Sequence, residues 1–76
     1  MEKLLLLINN LLDSIGVDKI DKLNPSLRLK EDLEIDSISY AELVVLIEDE
    51  LGIDINENGI SETIEDILKL VEKNKV

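Results

Sequence analysis

With no Phe, no Trp, no Cys and a single aromatic residue, Tyr40, this chain must build its interior almost entirely from Leu, Ile and Val. Such a core lacks the large rigid rings that fix shape in most small domains and is open to deformation. A length of 76 residues allows one domain with one modest core, taken as residues 1–76, and no room for a second.

The apolar residues repeat at helical spacing. From Glu2 to Ile15, the positions Leu4, Leu5, Leu7, Ile8, Leu11, Leu12 and Ile15 fall on one side of a helical wheel, with Leu6 alone on the polar side. Gly16 supplies the stop, because it enters the left-handed conformation without steric penalty. Val17 to Asp36 contains Asn24-Pro25 and reads as a long connection anchored by Leu23, Leu27, Leu29, Leu33 and Ile35. A loop of about 20 residues is unusual in a compact domain and is often functional.

Asp36 and Ser37 offer cap chemistry for a second helix that runs to about Leu51 and is closed by Gly52. The segment Asp54 to Glu62, with Asn58-Gly59 as its turn signal, leaves space for one short helix at most. Thr63 and Asp66 have capping-box spacing, and Ile64, Ile67, Leu68 and Val71 form the stripe of a final helix. Lys69, Lys73 and Lys75 cluster at its end, where cations suit the helix dipole. The expected fold is all-α: a small four-helix bundle of three main helices and one short one, with a long loop between helices one and two.

Composition excludes much. Apolar residues at 45% and charged residues at 34% give a globular balance rather than that of a disordered chain. Absence of Cys and His removes thiolate nucleophiles, soft metal ligands and the commonest general base. The apolar run after Lys3 is interrupted by Asn9, Asn10 and Asp13 too early for a signal peptide, and nothing is long enough to span a bilayer, so the expected location is the cytoplasm.

A net charge of −10 argues against nucleic acid or anionic lipid as partner. Residues 31–68 hold 13 of the 18 acids and none of the 8 bases, so that stretch carries −13 and the remainder, with eight bases against five acids, carries +3. Part of this is a solvated surface. The same asymmetry would steer basic partner proteins to one half of the molecule.

The second helix carries two apolar stripes. Counting 100° per residue from Ser37, the residues Leu43, Ile47, Tyr40, Leu51 and Val44 span about 240° to 340°, wide enough to face a core. Ile38, Ala41 and Val45 lie beside Ser37, interleaved with Glu42, Glu48 and Asp49. This second patch has the apolar centre and charged edge of a docking surface, whose partner would need a basic rim and a shallow apolar pocket.

Ser37 has no His and no obvious Lys to take its proton, so it is not a nucleophile in its own right. From this residue alone a helix cap is the simpler reading. It could instead receive a group from another enzyme, and a phosphodiester there would lie near the positive end of the second helix.

The surrounding residues shift that balance. Asp32-Leu33-Glu34-Ile35-Asp36-Ser37-Ile38, followed by Glu42-Leu43-Val44 and Glu48-Asp49-Glu50-Leu51-Gly52-Ile53, resembles the acyl carrier protein motif, in which Asp-Ser-Leu opens the second helix. The resemblance extends over nearly the whole chain. It implies that Ser37 accepts 4′-phosphopantetheine from coenzyme A through a phosphopantetheinyl transferase, and that the thiol of the arm carries acyl groups for fatty acid, polyketide or related biosynthesis. It also implies that Asp36 assists recognition or metal contact during transfer. Ile38, Ala41, Glu42, Val45, Glu48 and Asp49 would then meet acyl transferases, synthases or ligases with basic docking surfaces. The all-aliphatic interior would suit the family's habit of tucking an acyl chain between helices. The expected protein is a non-catalytic carrier, without a resident metal and monomeric, since no large apolar patch suggests self-association.

Three residues or segments depart from the family pattern. Glu34 replaces the glycine usual two residues before the Asp-Ser pair, Asn56 stands where many members have proline, and the segment up to Thr63 is short. The rival reading lies nearby. Asp54-Ile55-Asn56-Glu57-Asn58-Gly59, with Glu65 at position twelve, fits the written EF-hand calcium-loop pattern. Against it, Gly52 ends the incoming helix early, Ser61 occupies position eight, and there is no second loop to pair with.

Overall fold

Three helices, α1 (Glu2–Ser14), α2 (Ser37–Leu51) and α3 (Ile64–Lys73), make up the regular structure of residues 2–74, the part of the chain described by the computed structural model. No strand occurs among the described residues, and no helix is long and apolar enough to cross a membrane. The chain is all-helical, as the apolar spacing requires.

Each helix buries the stripe that its sequence marks out. Leu4, Leu7, Ile8, Leu11 and Leu12 of α1 meet Leu43 and Ile47 of α2 and Ile64, Ile67 and Leu70 of α3 in one aliphatic core. Leu6, the odd residue of the α1 wheel, stays 58% exposed. Burying each of these side chains contributes roughly 1.5–3 kcal/mol before conformational entropy is charged against it. Lys3, near the start of α1, pairs with Glu50, near the end of α2, and the two helices pack directly against each other.

The long loop is tied to the helices at several points. Asn9 of α1 bonds both the N–H and the C=O of Ile20, at 2.8 and 2.9 Å, and holds the first half of the loop. Leu29, Leu33 and Ile35 reach the core. Leu29 N–H donates to Glu62 C=O and Ile64 N–H to Leu27 C=O, each at 2.9 Å, which ties the second half to the start of α3. These bonds add backbone ties from the loop to α3, whose Ile64, Ile67 and Leu70 also pack into the common core.

Residues 54–62, expected to hold at most one short helix, run as turns. Asp54 Oδ1 accepts from Asn56 N–H at 2.8 Å, and Gly59 adopts φ 100°, two turn devices in a segment too short to repay helix nucleation. Ile53 and Ile55 pin the start of the segment into the core. Of the lysines expected at the end of α3, Lys73 lies in its last turn and pairs with Glu57, and Lys75 lies outside the described residues.

Candidate functional site

The start of α2 separates two roles that the sequence left with either of two neighbours. Asp36 is the cap: its backbone is extended and its Oδ1 accepts the Ser39 N–H at 2.9 Å. Ser37 is the first helical residue, exposed, and its Oγ makes no hydrogen bond with the described residues. A capping serine would have its oxygen engaged by the helix. Here that work is done by the aspartate, and the hydroxyl is left to solvent.

The Ser39 backbone N–H, followed by the Ser39 side chain and the Ile38 N–H, holds the Asp36 carboxyl below the usual aspartate range. Asp36 is therefore an anion at neutral pH, fixed beside the Ser37 hydroxyl. The approach to this corner is also set by the backbone. Glu34 sits in the left-handed region at φ 57°, where the family pattern has glycine. Leu29 C=O accepts the Ile35 N–H at 2.9 Å, and both side chains are buried, so the loop enters α2 on a fixed path.

Asp36 and Ser37 stand on the rim of an open cleft of about 500 Å³. Leu29 and Ile35 of the loop, Tyr40, Ala41 and Val44 of α2, and Ile60 across the gap supply its apolar lining. Residues 56 and 60–62 form the wall opposite α2. Tyr40, placed by the wheel in the core stripe, is half-buried, and its hydroxyl accepts from Ser61 N–H at 2.9 Å and donates to Asn56 Oδ1 at 2.6 Å. Sequence reasoning missed this cluster. Asn56 in place of proline was the only hint, since an amide can accept a bond that a proline ring cannot.

The second stripe of α2 is where the wheel put it. Ile38 is 75% and Val45 57% exposed, and with Ala41, Glu42 and Leu46 they line a shallow apolar depression. Ala41 belongs to both this face and the cleft, so the two surfaces meet at Ala41, one helical turn on from Ser37. Glu48 and Asp49 are exposed farther along the same helix and do not line the depression.

The calcium-loop residues serve other ends. Asp54 closes a turn, Asn56 is turned to Tyr40, Ser61 Oγ donates to Ile55 C=O at 2.7 Å, and Glu65 lies in the first turn of α3. They form no cage of converging carboxylates among the described residues. Nothing in this geometry supports an EF-hand.

The corner does fit a phosphodiester-linked arm. A free primary hydroxyl on the first residue of a helix places any phosphate attached to it near the N–H groups and positive dipole of that helix, and the adjacent apolar cleft can receive what the arm carries.

Comparison with known proteins identifies the family. Residues 6–72 match the family model described as a phosphopantetheine attachment site. An acyl carrier protein of Solidesulfovibrio magneticus is 30% identical over 67 residues, covering 86% of this chain and 85% of that protein. The chain therefore belongs to the acyl carrier protein family, whose members carry acyl groups on covalent 4′-phosphopantetheine and catalyse nothing themselves.

Proposed function

We propose that Ser37 is the residue that takes the 4′-phosphopantetheine arm, with Asp36 beside it contributing to recognition by the transferase. The observation that carries this reading is the free hydroxyl of Ser37 at the first position of α2, released from capping by Asp36 and standing on the rim of the apolar cleft. The chain has no histidine to act as general base, and on this reading the proton of Ser37 Oγ leaves to a base of the transferase. When bound, the arm supplies a terminal thiol on which acyl groups are held as thioesters.

The chain's own contributions are positional. The dipole and N–H groups at the start of α2 favour the phosphate, and the fixed loop holds the corner in place. Ile38, Ala41, Glu42 and Val45 present an apolar centre with an acidic edge, extended by Glu48 and Asp49, to transferases, synthases or ligases whose docking surfaces are basic. The lining of the cleft supports a hydrocarbon cargo of fatty acyl or polyketide type, sheltered between α2 and the 56–62 wall. On this reading residues 1–76 act as one carrier domain, monomeric and cytoplasmic, and the turns of 54–62 hold the place of the bundle's short fourth helix.

The decisive measurement is intact mass after incubation with coenzyme A, magnesium and a broad-specificity phosphopantetheinyl transferase. A gain of one phosphopantetheine that is absent in Ser37→Ala is expected, and no gain with several transferases would return Ser37 to a merely structural role. Glu42→Lys and Glu48→Lys should weaken loading at low salt without unfolding the domain. Unchanged kinetics in both would reject the docking face.

A further inference from the structure

The wall opposite α2 is held at its two ends, and between them it is tied to α3 by the exposed Lys73–Glu57 pair but only sparsely to α2. Ile53 and Ile55 anchor one end in the core, and the pairing of residues 62 and 64 with Leu29 and Leu27 anchors the other. Between these ends the chain turns at Asn58-Gly59, Ile60 is 75% exposed, and among the described residues no backbone-to-backbone hydrogen bond joins 54–61 to α2. The polar tie across the gap is the Tyr40 hydroxyl, which uses both its donor and its acceptor capacity on the wall, at Asn56 and Ser61. Ser61 Oγ in turn donates to Ile55 C=O at 2.7 Å, which links the two limbs of the wall to each other. All three tied residues, Tyr40, Asn56 and Ser61, line the cleft.

We infer that the Tyr40 hydroxyl is a latch that limits how far this wall can move from α2, and that Tyr40 thereby selects the length of chain that the cleft beside Ser37 admits. Short unbranched chains enter with the latch closed. Long chains need both of its hydrogen bonds broken so that the all-aliphatic core can part behind the wall. The identity of the cargo rests on Ser37 being the attachment residue; the latch itself rests on the Tyr40 bonds alone.

The test avoids the transferase. The chain contains no cysteine, so Ser37→Cys gives a single thiol at the rim of the cleft. Butyl, octyl and dodecyl thiosulfonates attach a chain of chosen length there as a disulfide, with the sulfinate leaving. Melting temperature is measured for each, with Tyr40 and with Tyr40→Phe, alongside amide exchange at Ser61 in the unloaded chains. With Tyr40, stabilisation should rise from butyl to octyl and then stop. With Tyr40→Phe it should continue to rise to dodecyl, and Ser61 exchange should quicken roughly tenfold, as loss of its hydrogen-bond acceptor predicts. Asn56→Ala, which removes one of the two bonds and leaves the ring in place, should give an intermediate profile. Parallel chain-length profiles in all three backgrounds, or unchanged Ser61 exchange in Tyr40→Phe, would overturn the latch. If instead the profiles differ and the mass experiment on Ser37 fails, the attachment reading falls and the latch stands.

Discussion

At the start of α3 the hydroxyl is the cap. Thr63 Oγ1 accepts the Asp66 N–H at 3.2 Å, and Asp66 returns its carboxylate to the N–H groups of Thr63 and Glu62, so both side chains are spent on the helix. At the start of α2 a hydroxyl and an aspartate are again close in sequence, in the opposite order. The aspartate takes the cap, and the serine falls one position inside the helix, its hydroxyl unbonded among the described residues. The same two chemistries give a closed structural joint in one place and an available hydroxyl in the other. Under the proposed function, moving the capping task to a neighbour is enough to make a site for modification here, with no unusual residue required.

That contrast can be broken most sharply at Ser37. Ser37→Ala should abolish loading in the mass experiment while leaving the melting temperature unchanged or slightly raised, because alanine is the better helix former at a position that caps nothing. Thr63→Ala should do the reverse. It is expected to cost about 1 kcal/mol, a fall of roughly 4–8 °C in a domain of this size, with loading intact. Asp36→Asn separates cap from charge, since an amide oxygen can still accept the Ser39 N–H. Melting should hold while the loading rate drops several-fold, and an unchanged rate would show that the Asp36 charge plays no part.

Acid should weaken both joints. Asp36 and Asp66 are each held below the ordinary aspartate value of 3.8, by the Ser39 N–H and by the Glu62 N–H in first place. The unfolded chain therefore takes up protons first as pH falls. The stability these groups contribute is full above about pH 4 and is lost as pH drops through their folded values. A melting series from neutral pH downward should decline in that window, and Asp66→Ala should flatten the decline.

The smallest effect is expected at Glu34. A non-glycine residue at φ 57° carries roughly 1–2 kcal/mol of steric cost, partly offset by the greater unfolded-state freedom of glycine, so Glu34→Gly should stabilise by about 0.5 kcal/mol. No gain in a denaturation midpoint would mean that the Glu34 side chain contributes contacts that compensate the strain.

These residues also show what a reader of the sequence could see. The capping box at Thr63 and Asp66, the stops at Gly16 and Gly52, the buried stripe of Leu43 and Ile47 and the exposed stripe of Ile38 and Val45 all follow from spacing within one or two helical turns. Asp36 and Ser37 were legible as a pair but not in their division of labour, because either oxygen can cap and only the register of the first turn decides between them. The short fourth helix expected between Asp54 and Glu62 is not formed, because the side-chain turn at Asp54 and the positive φ at Gly59 set turns in a segment too short to repay helix nucleation.

What the sequence determined by itself is local: three amphipathic helices, their ends, the face each buries, the acidic half, and the serine at the head of α2. Each depends on groups a few residues apart, whose geometry the chain fixes as soon as a helix forms. Only the tertiary structure decided that Tyr40 bonds Asn56 and Ser61, sixteen and twenty-one residues away, that the loop pairs with the start of α3, and that an apolar cleft opens beside Ser37. Those contacts join segments whose approach is set by how an aliphatic core closes over them. A core without rigid rings can close in more than one way, so no periodicity along the chain foretells which polar groups it will bring together.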